Sequence, residues 1–222
     1  MKSYITLIKR DLRLSLFRGS EGMVTLFFFV ITASLFSIAL GGEKTIVQRA
    51  APAILWVSAV LASLLSLETI YHRDAEDGTF DLLLLSPISP LGIALAKMFA
   101  HWIISGLALV IVSVVVSQML FVPATVLCTL IPSLLLGTLY MSLMGGMGAV
   151  LTFGARRPGL LLALLILPLY IPMLIIGVMG IEAALVDLPV KAYLLLQLSL
   201  VIAALPLTSW AAALCFRMNM RS

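Results

Sequence analysis

"GLALVIVSVVVSQMLFVPATVLCTLIPSLLLG", Gly106 to Gly137, is apolar on both sides of one short interruption. A helix needs about 20 mostly apolar residues to cross a bilayer core about 30 Å thick. The run entering this stretch begins near residue 92 and the run leaving it continues to about 152, so each side is long enough. Only the turn around Val122 and Pro123 separates them. Backbone groups in lipid must bond one another, which a helix achieves within a single segment. The stretch is therefore the tip of a tight hairpin of two spanning helices.

Outward from the hairpin, four more segments qualify, near 23–40, 52–70, 159–181 and 190–216. Six spans predict an all-α integral membrane protein with one transmembrane domain over 1–222. Composition agrees: 62% hydrophobic residues, 11% charged and a mean hydropathy of +1.19 lie far from soluble proteins. The formal charge of +4 points to no nucleic acid, because the basic residues flank apolar runs, where they orient membrane proteins. With the N-terminus inside, eleven Lys and Arg fall in the cytoplasm, against Lys44, Arg49 and Lys191 outside. Both termini are then cytoplasmic. The external loops, 41–51, 121–123 and 182–189, are too short for a folded domain.

The opening "MKSYITLIKRDLRLSLFR", residues 1–18, places Met1, Ile5, Ile8, Leu12 and Leu16 on one stripe, with Thr6, Arg10 and Arg13 away from it and Leu7, Leu14 and Phe17 as exceptions. It reads as a helix lying in the lipid interface, and Gly19 and Gly22 permit a bend into the first span. The alternative is an extended start of that span. Ser37 and Ala39 imitate a cleavage site, but so long an Arg-rich lead is unlike a signal peptide. Cys128 and Cys215 lie in apolar runs without a CxxC and are expected to be small buried hydrophobes.

Several intramembrane features stand out. The fourth span gathers Gly137, Ser142, Gly145, Gly146, Gly148 and Ala149, a pattern that lets helix backbones approach closely, as ordinary packing or along a substrate path. In the fifth, Pro168 and Pro172 in "LPLYIPM" each remove a backbone bond, so a kink or break is expected, either a hinge or a static bend. Lys97 and His101 share a face of the third span near its cytoplasmic end. His101 at that depth is either a haem or gating contact or a satisfied packing residue, and Glu68 is a candidate partner for a basic group or snorkels to water.

The chemistry of most enzyme classes is missing. None of the five lysines follows a glycine, so there is no GxxxxGK[ST] phosphate loop. His72 and His101 are too far apart for HExxH, no GxSxG occurs, and a metal on His72 and Glu76 alone would be weakly held. No metal site and no catalytic residues are expected. Against this background, "RDAEDGTFD", Arg73 to Asp81, carries one positive and four negative charges on the cytoplasmic side. Gly78, Pro87 and Pro90 bound it as a separate unit. It is either a docking surface or a solvated charge run.

"APAILWVSAVLASLLSLE" (Ala51–Glu68), "RDAEDGTFDLLLLSP" (Arg73–Pro87), "LAKMFAHW" (Leu95–Trp102) and "ILPLYIPMLIIG" (Ile166–Gly177), in this order, resemble the haem exporter protein B (CcmB) permease family over nearly the whole chain. Tyr71, His72 and Ala75 depart from its usual pattern, which weakens a metal role for His72. The resemblance implies an ABC-2-like permease of the bacterial inner membrane, present as two copies and driven by a separate ATP-binding subunit, CcmA, which holds ATP and magnesium. It implies CcmC, CcmD and the haem chaperone CcmE as further partners, and haem as a ligand carried or handled. In related permeases the N-terminal helix and the loop after the second span, here 71–91, contact the ATPase. Arg73, Asp74, Glu76, Asp77, Gly78 and Asp81 are then the coupling residues. A rival from another class is a scaffold that holds the ATPase beside haem-handling subunits and transports nothing.

Overall fold

The computed structural model describes residues 7–13, 20–67, 70, 89–152 and 158–219. The described residues are helical or in short turns, with no strand among them. Helix α1 (Ser20–Ala39) is followed by α2 (Lys44–Leu67) and by α3 (Pro90–His101). A π-helical turn, Trp102–Gly106, joins α3 to α4 (Leu107–Met119) as one continuous span. After a 3-10 turn at Ala124–Val126 come α5 (Leu127–Leu151), α6 (Pro158–Leu185) and α7 (Lys191–Asn219). Among the described residues, six segments are long and apolar enough to cross a membrane: Gly22–Ala39, Lys44–Leu67, Leu91–Met119, Ala124–Leu151, Gly159–Leu185 and Lys191–Thr208. The end of the bundle holding residues 7–13 and the start of α3 is called here the loop end, and the opposite end the far end.

Four expectations from sequence need correction. The second span begins at Lys44, not near 52, because Pro52 lies inside α2. One missing donor near a helix start leaves only the Gln48 carbonyl without its usual bond, and the helix continues through it. The first far-end loop therefore shrinks to 40–43, and the last runs over 186–190 because α6 extends to Leu185. Of the kink or break expected in the fifth span, the break does not occur: Pro168 and Pro172 both lie within one continuous helix, α6, with their rings on its exposed side. Cys128 is exposed, since it sits in the first turn of α5 on the same outward side as Ile131. Pro90 and Leu91, assigned to the loop 71–91, already belong to α3, which Ser89 caps by accepting from the Gly92 N–H.

The hairpin tip is as tight as the sequence requires. The Phe121 N–H donates to the Gln118 carbonyl and the Val122 N–H to that of Ser117, closing α4. Phe121 takes a left-handed φ of 57°, leaving Pro123 to start the return.

Lipid is as apolar as leucine, so packing density, not removal from water, holds such helices together. Trp56 of α2, wholly buried, lies against Gly137 of α5 and Gly177 of α6, and a Cβ at either glycine would collide with the indole. Gly145 meets Leu67, and Gly146 meets Met98. The glycines of the fourth span thus seat side chains of neighbouring helices, the packing role. Two tyrosines add a reciprocal tie: Tyr140 donates to the Leu169 carbonyl (3.0 Å) and Tyr170 to the Met141 carbonyl (2.6 Å). Each such bond is worth about 0.6 kcal/mol in a membrane. The indole, at about 0.1–0.2 kcal/mol for each of dozens of atom contacts, outweighs both. Among the described residues, Trp56 Nε1, Ser58 Oγ, Ser133 Oγ and the Gln197 amide are buried without a hydrogen-bond partner.

Candidate functional site

The third span carries its polar groups at helical spacing: Lys97, His101 and Ser105 lie one turn apart on one face. The fold turns that face inward, and all three side chains are buried. Lys97 is only 5% exposed, and its Nζ lies 3.2 Å from Asp11 Oδ2. Asp11 belongs to the N-terminal helical segment 7–13, 86 positions away. Its other oxygen, Oδ1, accepts from Arg10 Nε at 3.0 Å and Nη2 at 2.8 Å. The carboxylate is therefore held between a neighbour on its own helix and a lysine of the third span. Its side chain is 14% exposed, so the attraction is less screened than at an open surface.

One turn deeper, His101 joins three helices. Its Nε2 lies 2.9 Å from Ser66 Oγ of α2, and its Nδ1 lies 3.0 Å from Ser142 Oγ of α5. Ser105 Oγ is 3.2 Å from Nε2 and donates to the His101 carbonyl. Ser66 also donates to the Ser63 carbonyl, which commits its proton. This assignment makes Nε2–H the donor to Ser66 and Nδ1 the acceptor from Ser142, a neutral imidazole. Both ring nitrogens are engaged, so in this packing the ring offers no lone pair to haem iron. His101 ties the second, third and fourth spans together.

Directly beyond His101 the π-helical turn begins, with the Leu107 N–H bonding back to the Trp102 carbonyl. Such single turns inside α-helices concentrate at functional sites and mark places where the ladder changes phase. Trp102 Nε1 donates to Thr138 Oγ1 of α5 at 3.2 Å. Gly106 makes room, since a Cβ there would come within 2.6 Å of the indole and 3.2 Å of Thr138.

The sequence-derived site residues divide clearly. Lys97 and His101 are brought together in this network. Glu68 and the loop residues Arg73, Asp74, Glu76, Asp77, Gly78 and Asp81 lie outside the described residues, as do His72 and residues 1–6 and 14–19 of the N-terminal segment. Pro168 and Pro172 lie on the exposed side of α6 and take no part in the network. Among the described residues no group of three His, Cys, Asp or Glu side chains is placed to hold a metal. Asp11, Ser66 and Ser105 were not anticipated. Asp11 had a signal: it is the only acid among the first twenty residues, amid Lys2, Lys9, Arg10, Arg13 and Arg18. The buried side of segment 7–13 also differs from the predicted stripe, because Leu7 enters the core while Ile8 and Leu12 are only partly buried.

Comparison with known proteins bears on the whole chain. Heme exporter protein B of Pseudomonas aeruginosa is 47% identical over 207 residues, 93% of either chain. That of Paracoccus denitrificans is 40% identical over 215 residues, 97% of this chain and 99% of its own. The Haemophilus influenzae protein of the same name is 35% identical over 218 residues, 98% of each. The profile of the family described as CcmB protein matches residues 2–219, which include every span and the Asp11–Lys97–His101 network. A match of this extent and identity makes the chain a multi-pass membrane protein belonging to the CcmB family.

Proposed function

We propose that this chain is the membrane permease subunit of an ABC transporter complex in cytochrome c biogenesis, serving haem export or ATP-driven release of the haem-loaded chaperone. Family membership along the full length, with relatives named heme exporter protein B, is the observation that carries this. ATP hydrolysis belongs to a separate subunit, CcmA, so nucleotide-driven closure enters the membrane only by contact. A contact shifts a two-state membrane domain only if it differs between the states. Arg73, Asp74, Glu76, Asp77, Gly78 and Asp81 form the surface that meets the ATPase, and the loop end with both termini faces the cytoplasm of a bacterial inner membrane. Pro168 and Pro172 supply the bend about which the fifth span moves. Two copies pair, and CcmC, CcmD and the chaperone CcmE dock beside them.

The scaffold alternative, in which nothing crosses this protein, draws support from the tightly filled interior around Trp56 and from an imidazole with no free nitrogen. Purification of the intact chain from its native membrane, with identification of co-purifying proteins and bound haem, tests the main proposal. The expected result is recovery of an ATP-binding subunit, and its absence overturns the proposal. Reversing charge at Asp74, Glu76 and Asp77 together should reduce that recovery or the cytochrome c yield while leaving membrane insertion intact. Unchanged recovery and yield would remove the loop from the mechanism. Vesicles holding the complex separate the two roles: ATP-dependent haem movement supports transport, and chaperone release without movement supports the scaffold.

A further inference from the structure

The loop between α2 and α3 is one route by which an ATPase can push on the bundle, and the geometry points to a second. We infer that Asp11 is a positioning residue through which displacement of the N-terminal segment turns the cytoplasmic third of span three. This rests on the permease proposal and adds a residue and a path to it. Segment 7–13 is held at two points one helical turn apart. Leu7 is buried in the apolar core, and Asp11 reaches Lys97 through Oδ2 while Arg10 fixes Oδ1. A helix held at one point swivels, whereas one held at two carries its rotation into what it grips. The gripped element is α3, where Lys97 and His101 project from one face. Rotation that moves Lys97 also moves His101 between Ser66 of α2 and Ser142 of α5. The π-helical turn at Trp102–Gly106, immediately beyond, lets α3 turn without dragging α4, because a ladder already out of α-phase is the segment that absorbs a register change. The described arrangement is one setting of this lever, and the second exchanges the hydroxyls around the imidazole.

The test uses the full complex purified from membranes, with recovery of the ATP-binding subunit and cytochrome c yield as separate readouts. Asp11→Asn and Lys97→Gln should each retain the ATP-binding subunit but lower the yield by roughly tenfold, the loss of a differential contact worth about 1.4 kcal/mol. Asp11→Glu and Lys97→Arg should restore most of it, which a purely steric role would not predict. The exchanged pair, Asp11→Lys with Lys97→Asp, should exceed either single reversal. Wild-type yield in Asp11→Asn, or equal loss in Asp11→Asn and Asp11→Glu, overturns the inference. If Asp11→Asn does not accumulate, the exchanged pair decides: accumulation regained without yield also overturns it. Failure of the underlying proposal shows separately, as an unmodified chain that brings down no ATP-binding subunit.

Discussion

Replacing His101 by leucine removes the donor to Ser66 and the acceptor for Ser142 in one step. Intramembrane bonds of this kind average about 0.6 kcal/mol and reach about 1.7, so the variant should lose about 1–3 kcal/mol. For a chain of this size that lowers the melting temperature in detergent by roughly 2–4 °C per kcal/mol, and His101→Gln, which keeps a donor and an acceptor, should lose less. A leucine variant that melts with the parent would show that the ring is no tie. The same residues mark how far sequence alone reached. Lys97, His101 and Ser105 share a face by spacing, which any helical reading reveals. Their partners come from other helices, and no spacing rule reports which serine of α2 or α5 faces which ring nitrogen. Asp11 was visible as a lone acid among basic residues, but its role depends on a contact across 86 positions that only the fold creates.

At the level of elements, α2 shows why a boundary is harder to read than a span. Pro52 looks like a helix start, yet only one carbonyl loses its bond to it and α2 begins eight residues earlier. The π-helical turn left no comparable mark, since its residues, WIISG, carry no signature beyond Gly106. The glycines were legible as close-approach points, but not the fact that two helices share one indole. That sharing makes a prediction. Gly177→Ala forces a methyl into Trp56, an overpacking that should cost about 1–3 kcal/mol. In a Trp56→Phe background, where the ring is smaller, adding Gly177→Ala should cost markedly less. Equal losses in both backgrounds, measured as thermal midpoints in detergent, would mean that the indole is not what the glycine accommodates.

For the whole molecule, the number of spans and the tight 120–123 turn follow from hydropathy alone, because lipid leaves a chain few alternatives to helices. The sidedness expected from charge asymmetry has a direct test. In a Cys128→Ser, Cys215→Ser background, Val186→Cys at the far end should react with a membrane-impermeant thiol reagent added outside intact cells. Lys9→Cys should react only after permeabilisation, and the reverse pattern would invert the topology. Over Lys191–Thr208 the sixth span has a mean hydropathy of 1.6, against 2.6 for the fifth, and it carries Gln197, whose buried amide has no hydrogen-bond partner among the described residues. Helix α7 packs chiefly on α5, and Gln197 belongs to the stripe with Val201, Ala204 and Thr208 that faces inward. Translated after the other five spans and carrying an amide that is costly against lipid, α7 depends on a surface assembled before it. A packing lesion in the fourth span therefore has a remote signature, a C-terminus left on the wrong side or a tail handed to quality-control proteases, while the other five spans stay in place.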